Sequence, residues 1–245
     1  MHEIHLDVID STNTYAKKHY RSFPKDEMSC VVAEEQSAGR GRYQRKWVSP
    51  KGVGLYVTFY LSLPINTLHL AALTQVLALS FALCLIKMGL KPLLKWPNDV
   101  LLNNKKISGV LCETEFEKEC VHLFLGIGIN VNLSDTKQID QPATSLFIET
   151  GKTWDKNKVL QELQEQFEKD LKTFKKKGFS PFHQKFEELL AMKGEKVRCF
   201  DGRKMWTGIC HSITEAGYLN LLMPDQTIHS VLSGDVTIDS KSNKS

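Results

Sequence analysis

The chain has 245 residues, 42% hydrophobic and 24% charged, with a formal net charge of +4. That length holds one large domain, or a large one with a small companion, and that composition is ordinary for a soluble globular protein. The mild positive charge fits an anionic small ligand or an acidic protein partner and gives little support to a nucleic-acid-binding surface.

Residues 4–8 read as a short strand. Asp10, Ser11, Thr12 and Asn13 then supply N-cap chemistry before a helix ending near His19. Residues 30–33 form a second strand that runs into a glycine–arginine loop. Residues 55–60 are β-branched and aromatic, hence a third strand. A long apolar helix follows Pro64, over residues 68–90. His69, Thr74, Gln75, Ser80 and Lys87 within it, and the strand-like motifs flanking it, favour a core helix over a membrane span. Strand, turn and strand cover residues 93–115, with Asn103 and Asn104 as the turn. Residues 121–132 are another strand.

Val159, Leu160, Leu163, Phe167, Leu171 and Phe174 recur at helical spacing, predicting a helix over 156–177 whose lysine-rich end suits the helix dipole. A shorter helix is predicted over 182–192. After Gly194 come short strands at 197–200, 206–209, 218–221 and 229–232, separated by Asp-Gly, Ala-Gly and Pro-Asp turns. They predict a small β-barrel of its own, with residues 241–245 as a frayed tail. The domain boundary is expected between 1–192 and 193–240.

None of the cysteines 30, 84, 112, 120, 199 and 210 forms a CxxC pair. This argues against zinc and for free buried thiols in a reducing compartment. The N-terminus has no basic segment leading into an apolar one, so no secretory signal is expected.

Chemistry concentrates in a few motifs. Gly39-Arg40-Gly41-Arg42-Tyr43-Gln44-Arg45-Lys46-Trp47 joins permissive backbone to forked cationic donors. Such a loop is costly to hold folded alone. It fits one that orders around a phosphate-bearing ligand, the alternative being a solvated basic loop. In the strand at 125–130, Gly126, Gly128 and Asn130 share one face. A flat ligand can lie there on bare backbone, the alternative being a bulge or room for a neighbouring helix. In Lys95-Trp96-Pro97-Asn98-Asp99, Asp99 is expected beside Lys106 across a two-residue turn. Lys106 would offer a point charge for phosphate or carboxylate, the alternative being a surface ion pair. Ser11, Thr12 and Asn13 sit where helix N–H groups face outward. No Walker A loop, GxGxxG, GxSxG or HExxH is present.

As an ordered set, Ser11-Thr12-Asn13, residues 36–42, Trp47, Lys95-Trp96-Pro97-Asn98-Asp99, Lys106-Ile107-Ser108-Gly109, Gly126-Ile127-Gly128-Ile129-Asn130 and Ala143-Thr144-Ser145-Leu146 resemble the biotin–protein ligases. The motifs follow that family's order and are specific as a set. The resemblance implies an α+β fold: a mixed sheet carrying helices, plus a small SH3-like C-terminal barrel. It implies that biotin and ATP give biotinyl-5′-adenylate, from which biotin passes to one lysine of a carboxylase biotin carrier domain.

By the resemblance, Ser11, Thr12, Asn13 and Gln36 would take the ring end of biotin, and Gly126 and Gly128 would flank it. Gly39, Arg40, Gly41, Arg42, Lys106 and Gly109 belong to the same biotin site. Arg40 and Arg42 would close over the carboxylate and α-phosphate, and Arg42 and Lys106 would be the catalytic, charge-stabilising pair. Trp47 would cover the adenylate, with Lys95, Asn98, Asp99 and Asn130 on the nucleotide side. Mg²⁺ would accompany ATP, with Asp99 reaching it through water. The form expected is the ligase alone, without a DNA-binding domain, cytoplasmic, off the membrane, and monomeric or homodimeric. A lipoate or octanoate ligase and a non-catalytic biotin sensor are the alternatives.

Overall fold

The computed structural model describes residues 1–24 and 27–239, so the tail expected to fray lies outside the described residues. Among the described residues two sheets form. The larger has the order β1 (His2–Ile9), β2 (Ser29–Gln36), β3 (Gly54–Pro64), β7 (Cys120–Asn130), β6 (Lys105–Phe116), β5 (Asp99–Leu102), β4 (Pro92–Lys95), and the smaller the order β11 (Ile228–Val231), β10 (Leu219–Leu222), β9 (Met205–Ile213), β8 (Lys196–Phe200), β12 (Asp235–Ile238). By internal contacts the chain divides into one unit of Met1–Thr67 and Val100–Glu165, and another of Leu68–Asp99 and Gln166 onward.

In the first unit β1 (His2–Ile9) runs parallel to β2 (Ser29–Gln36), with α1 (Thr12–His19) in the connection that a parallel pair requires. β3 (Gly54–Pro64) pairs antiparallel with β2 and with β7 (Cys120–Asn130). β6 (Lys105–Phe116) pairs antiparallel with β7, placing Gly109 opposite Gly128. β3 is buried along nearly its whole length, as its near-continuous apolar run demands of a central strand. Ala16 of α1 joins Tyr20, Phe23, Val31, Tyr60 and Phe124 in an aromatic-rich cluster.

β5 (Asp99–Leu102) and β6 are joined through Asn103 and Asn104, both at positive φ, the two-residue turn expected. A short helix that the periodicity does not reveal, α3 (Leu146–Thr150), is capped by Ser145, whose hydroxyl accepts from the Ile148 N–H at 3.0 Å.

The second unit is built on α2 (Leu73–Lys87), whose buried residues encircle the helix. Among the described residues one helical stretch, Leu70–Lys87, is long and apolar enough to cross a membrane, and 67% of it is buried inside the protein. Asp170, on α4 (Lys156–Lys177), is buried and accepts from Ser80 Oγ of α2 at 2.7 Å. The strand expected before the Asn103 turn is two strands, β4 (Pro92–Lys95) and β5, because Pro97 between them has no N–H for a ladder. Trp96 is buried, and its Nε1 donates to the Gly217 carbonyl at 3.0 Å.

The last helix, α5 (Ser180–Glu188), stops short of the expected 192. Residues just beyond it pair with β4 instead: Leu94 N–H donates to Leu189 O, and Ala191 N–H to Leu94 O. The C-terminal strands are β8 (Lys196–Phe200), β9 (Met205–Ile213), β10 (Leu219–Leu222), β11 (Ile228–Val231) and β12 (Asp235–Ile238). β12, which the sequence pattern did not separate, pairs antiparallel with β8.

Candidate active site

The start of α1 is tied to the end of β2 by one side chain. Gln36 Oε1 accepts from the Thr12 N–H at 2.9 Å and from Thr12 Oγ1 at 3.1 Å. Ser11 holds the N-cap position, yet its side chain caps nothing. The local N-cap chemistry expected of residues 10–13 is thus supplemented by a long-range partner, with Gln36 satisfying a helix amide. Thr58, in β3 opposite Gly126, lies 2.8 Å from Thr12 Oγ1 and 2.6 Å from Asn13 Oδ1. Its single proton serves one of them at a time, leaving the network adaptable.

Asn13 is fixed from the other side. Its Nδ2 donates to Glu113 Oε2 at 2.9 Å. The same carboxylate meets Arg40 Nη2 at 3.0 Å and Lys17 Nζ at 3.6 Å. Burial pushes the Glu113 carboxyl up, but the Asn13 amide, Arg40 and Lys17 outweigh it and hold it below the ordinary value of 4.5. Glu113 was not singled out from the sequence. The one signal available is an acid at the end of the apolar run Val110-Leu111-Cys112.

The glycine–arginine loop is shaped by its own backbone. Gly41 N–H donates to Arg45 O at 2.7 Å and Trp47 N–H to Gly39 O at 2.9 Å, and Arg40 bridges Lys46. The loop costly to hold alone is therefore a small hairpin. A Cβ on Gly39 would lie 2.7 Å from both Ser49 Oγ and Trp47 O, whereas one on Gly41 would meet nothing nearer than Arg45 O at 3.7 Å. Beyond Gly41, the Arg42 guanidinium packs 5.2 Å from the Tyr43 ring centroid. Arg40 donates to Thr14 Oγ1 as well as to Glu113, so the expected carboxylate clamp is engaged with α1.

The bare face expected at Gly126 and Gly128 is covered by side chains. A Cβ on Gly126 would lie 2.5 Å from Asn13 Oδ1, and one on Gly128 would run into the Trp47 indole. Both glycines are required by close approach, and the neighbouring α1 supplies part of the cover.

Lys106 Nζ stands 5.3 Å from the Trp47 ring centroid. A cleft lies beside this pair, lined also by Lys46, Asn130, Gln141 and Ala143. Asn130 donates to the Thr144 carbonyl at 2.9 Å, which fixes its amide in the cleft wall. Trp47 Nε1 is buried without a hydrogen-bond acceptor among the described residues. Of the nucleotide-side residues, Trp47 and Asn130 are thus brought together with Lys106. Lys95, Asn98 and Asp99 belong to the second unit, at the end of β4 and the start of β5.

The family model described as biotin/lipoate A/B protein ligase matches residues 5–130. The biotin protein ligase of Aquifex aeolicus, solved in complex with biotin and ATP, is 36% identical. It superposes with a TM-score of 0.82 over 96% of this chain and 97% of its own. A biotin–acetyl-CoA-carboxylase ligase from Paracoccus denitrificans is 33% identical, covering 88% of this chain and 92% of its own. The bifunctional ligase/repressor BirA of Salmonella typhimurium is also 33% identical, over 96% of this chain and 73% of its own length. On this evidence the chain belongs to the biotin/lipoate A/B protein ligase family and is a ligase.

Proposed function

We propose that the chain joins biotin to a lysine of a carboxylase biotin carrier domain in two ATP-dependent steps. In the first, a biotin carboxylate oxygen attacks the α-phosphorus of ATP. The bond to pyrophosphate breaks, giving biotinyl-5′-adenylate. In the second, the neutral ε-amino group of the carrier lysine attacks the acyl carbon and AMP leaves, the amine proton passing to solvent. The mixed anhydride turns a poor leaving group into a good one. The protein's task is to hold two anions together and exclude water.

The observation that carries this reading is the cleft beside Trp47 and Lys106. It combines a cation with an aromatic plate, in a chain similar to a ligase solved with biotin and ATP. Lys106 and Arg42 would neutralise charge at the attacked phosphorus, and Trp47 would cover the adenylate. The Thr12, Asn13 and Gln36 network, with Ser11 before it, would meet the ureido head, which offers one acceptor and two donors. Gly39, Gly41 and Gly109 would shape the walls. Arg40 would hold the loop against α1 through Glu113. Lys95, Asn98 and Asp99 are proposed on the nucleotide side.

Among the described residues lining the cleft there is no carboxylate. Mg²⁺ would therefore arrive on the triphosphate as part of the substrate, with Asp99 the residue proposed to reach it through water. Residues 1–192 would do the chemistry, in the cytoplasm, and 193–240 would form the small second domain.

Biotin-dependent exchange of labelled pyrophosphate into ATP tests the first step alone. Exchange with biotin, and none with lipoate or octanoate, is expected. Exchange only with lipoate or octanoate would overturn the reading.

A further inference from the structure

Side chains alternate along a strand, so the face of β7 that holds Gly126 and Gly128 continues through Phe124 to His122 and Cys120. At the β6–β7 turn the Glu117 N–H donates to Cys120 O at 2.9 Å, and the turn folds the Glu117 carboxylate back over that face. Glu117, Cys120 and His122 each offer one ligand atom, and these atoms all lie within 4.8 Å of one another.

The two distances from the His122 nitrogen match the edges of a coordination tetrahedron, and the third pair, Glu117 with Cys120, lies within 4.8 Å. Cys120 Sγ is 3.6 Å from His122 Nε2, and Glu117 Oε1 is 3.4 Å from the same nitrogen. In a tetrahedral zinc centre with bonds of about 2.3 Å to sulfur and about 2.05 Å to nitrogen and oxygen, the S···N edge is about 3.6 Å and the N···O edge about 3.4 Å. Two separate hydrogen bonds account for the pattern less well, because Nε2 carries at most one proton.

The imidazole is also held as a ligand must be. His122 is buried, its ring 4.6 Å from that of Tyr20 and stacked at 6.0 Å on Tyr60. Its Nδ1 lies 3.0 Å from the Tyr60 hydroxyl. Donation from Nδ1–H to that oxygen leaves the Nε2 lone pair facing Cys120 and Glu117. Cys120 is only partly buried and Glu117 is exposed, so a cation can enter from solvent. The paired cysteines whose absence argued against zinc are not needed, since one thiolate, one imidazole and one carboxylate suffice.

We propose that Glu117, Cys120 and His122 form a binding site for a thiophilic divalent cation, Zn²⁺ above all, with a fourth position open to solvent. Thiolate and imidazole select zinc over Mg²⁺, so the site is chemically separate from any ion carried on ATP. It does not depend on the ligase reading. A bound ion would tie the β6–β7 turn to the face beneath Tyr20 and raise stability by mass action.

The test uses the reduced, chelator-stripped protein, titrated with Co²⁺ and then Zn²⁺. A thiolate-to-cobalt charge-transfer band in the near ultraviolet should saturate at one equivalent and be displaced by one equivalent of Zn²⁺. Cys120→Ser should abolish the band. Glu117→Gln should weaken Co²⁺ binding by at least about tenfold. Cys112→Ser should leave both intact. No band in the wild type, a band surviving Cys120→Ser, or affinity unchanged by Glu117→Gln would each overturn the site. Zinc affinity of the wild type, by competition with a chromophoric chelator, gives a readout free of any folding defect in the variants.

Discussion

Arg40 and Glu113 lie 73 residues apart, yet Nη2 of the arginine sits 3.2 Å and 3.0 Å from the two carboxylate oxygens. Through this pair the basic loop is fastened to β6, and through Asn13 and Lys17 to α1. One acid thus sets the relative positions of three segments proposed to surround the ligand.

Removing it should be felt in stability. Glu113→Gln leaves a partly buried guanidinium and an amide with a weaker acceptor, and should cost about 1–3 kcal/mol at neutral pH. The folded-state pKa of Glu113 lies below the ordinary 4.5, so its stabilising contribution is present above that value. It is lost as pH falls through the folded pKa. Urea denaturation of wild type and variant should therefore show a gap at pH 7 that narrows below about 4.5.

The glycines of the site divide by what their missing side chains would meet. Gly128→Ala drives a methyl into the Trp47 indole and should destabilise by about 1–3 kcal/mol, with altered tryptophan fluorescence. Gly41→Ala has open space and should change stability by less than about 0.5 kcal/mol. Equal effects would show that the indole does not rest on β7.

Gln36 joins β2 to the helix and also donates to Ser49 at 3.1 Å. Gln36→Leu strands the Thr12 N–H and hydroxyl. A stability loss of about 1–3 kcal/mol is expected. KM for biotin should rise while kcat holds, the pattern of lost ground-state binding. A fall in kcat at unchanged KM would place Gln36 nearer the reacting atoms than the proposal does.

Lys106 and Arg42 are expected to separate the two steps. Lys106→Ala should slow adenylate formation by about 10²–10³-fold with an unaltered melting temperature. Arg42→Ala should release activated biotin faster, read by the labelling of free amines in solution. Near-normal turnover in the first, or unchanged release in the second, removes the assigned role.

Much of the fold is legible in the chain. β3 and β7 announce themselves by β-branched and aromatic runs, and Asn103-Asn104 by its turn chemistry. Lys106, Trp47 and Asn130 were marked by type and spacing, and they converge on one cleft. The parts that were not legible are those decided by distant partners. Glu113 acquires its place from Arg40 and Asn13, and nothing in its own neighbourhood encodes either. α5 ends early because residues 189–191 pair with β4, a contact local helix propensity does not foresee. Two of the six cysteines, Cys112 and Cys120, are partly exposed although all six sit in strand-like or helix-like segments. Cys112 shares its face with the buried Val110 and lies opposite the buried Leu125, so strand alternation alone does not foretell its exposure.

The central claim is transfer of biotin to a carrier lysine, and the most direct measurement is the mass of a biotin carrier domain after incubation with this protein, Mg-ATP and one acid. Addition of a single biotinyl group with biotin, abolished when the carrier lysine is replaced or ATP omitted, is the predicted result. Modification only with lipoate or octanoate, or no modification by a folded protein that still binds biotin, would contradict it.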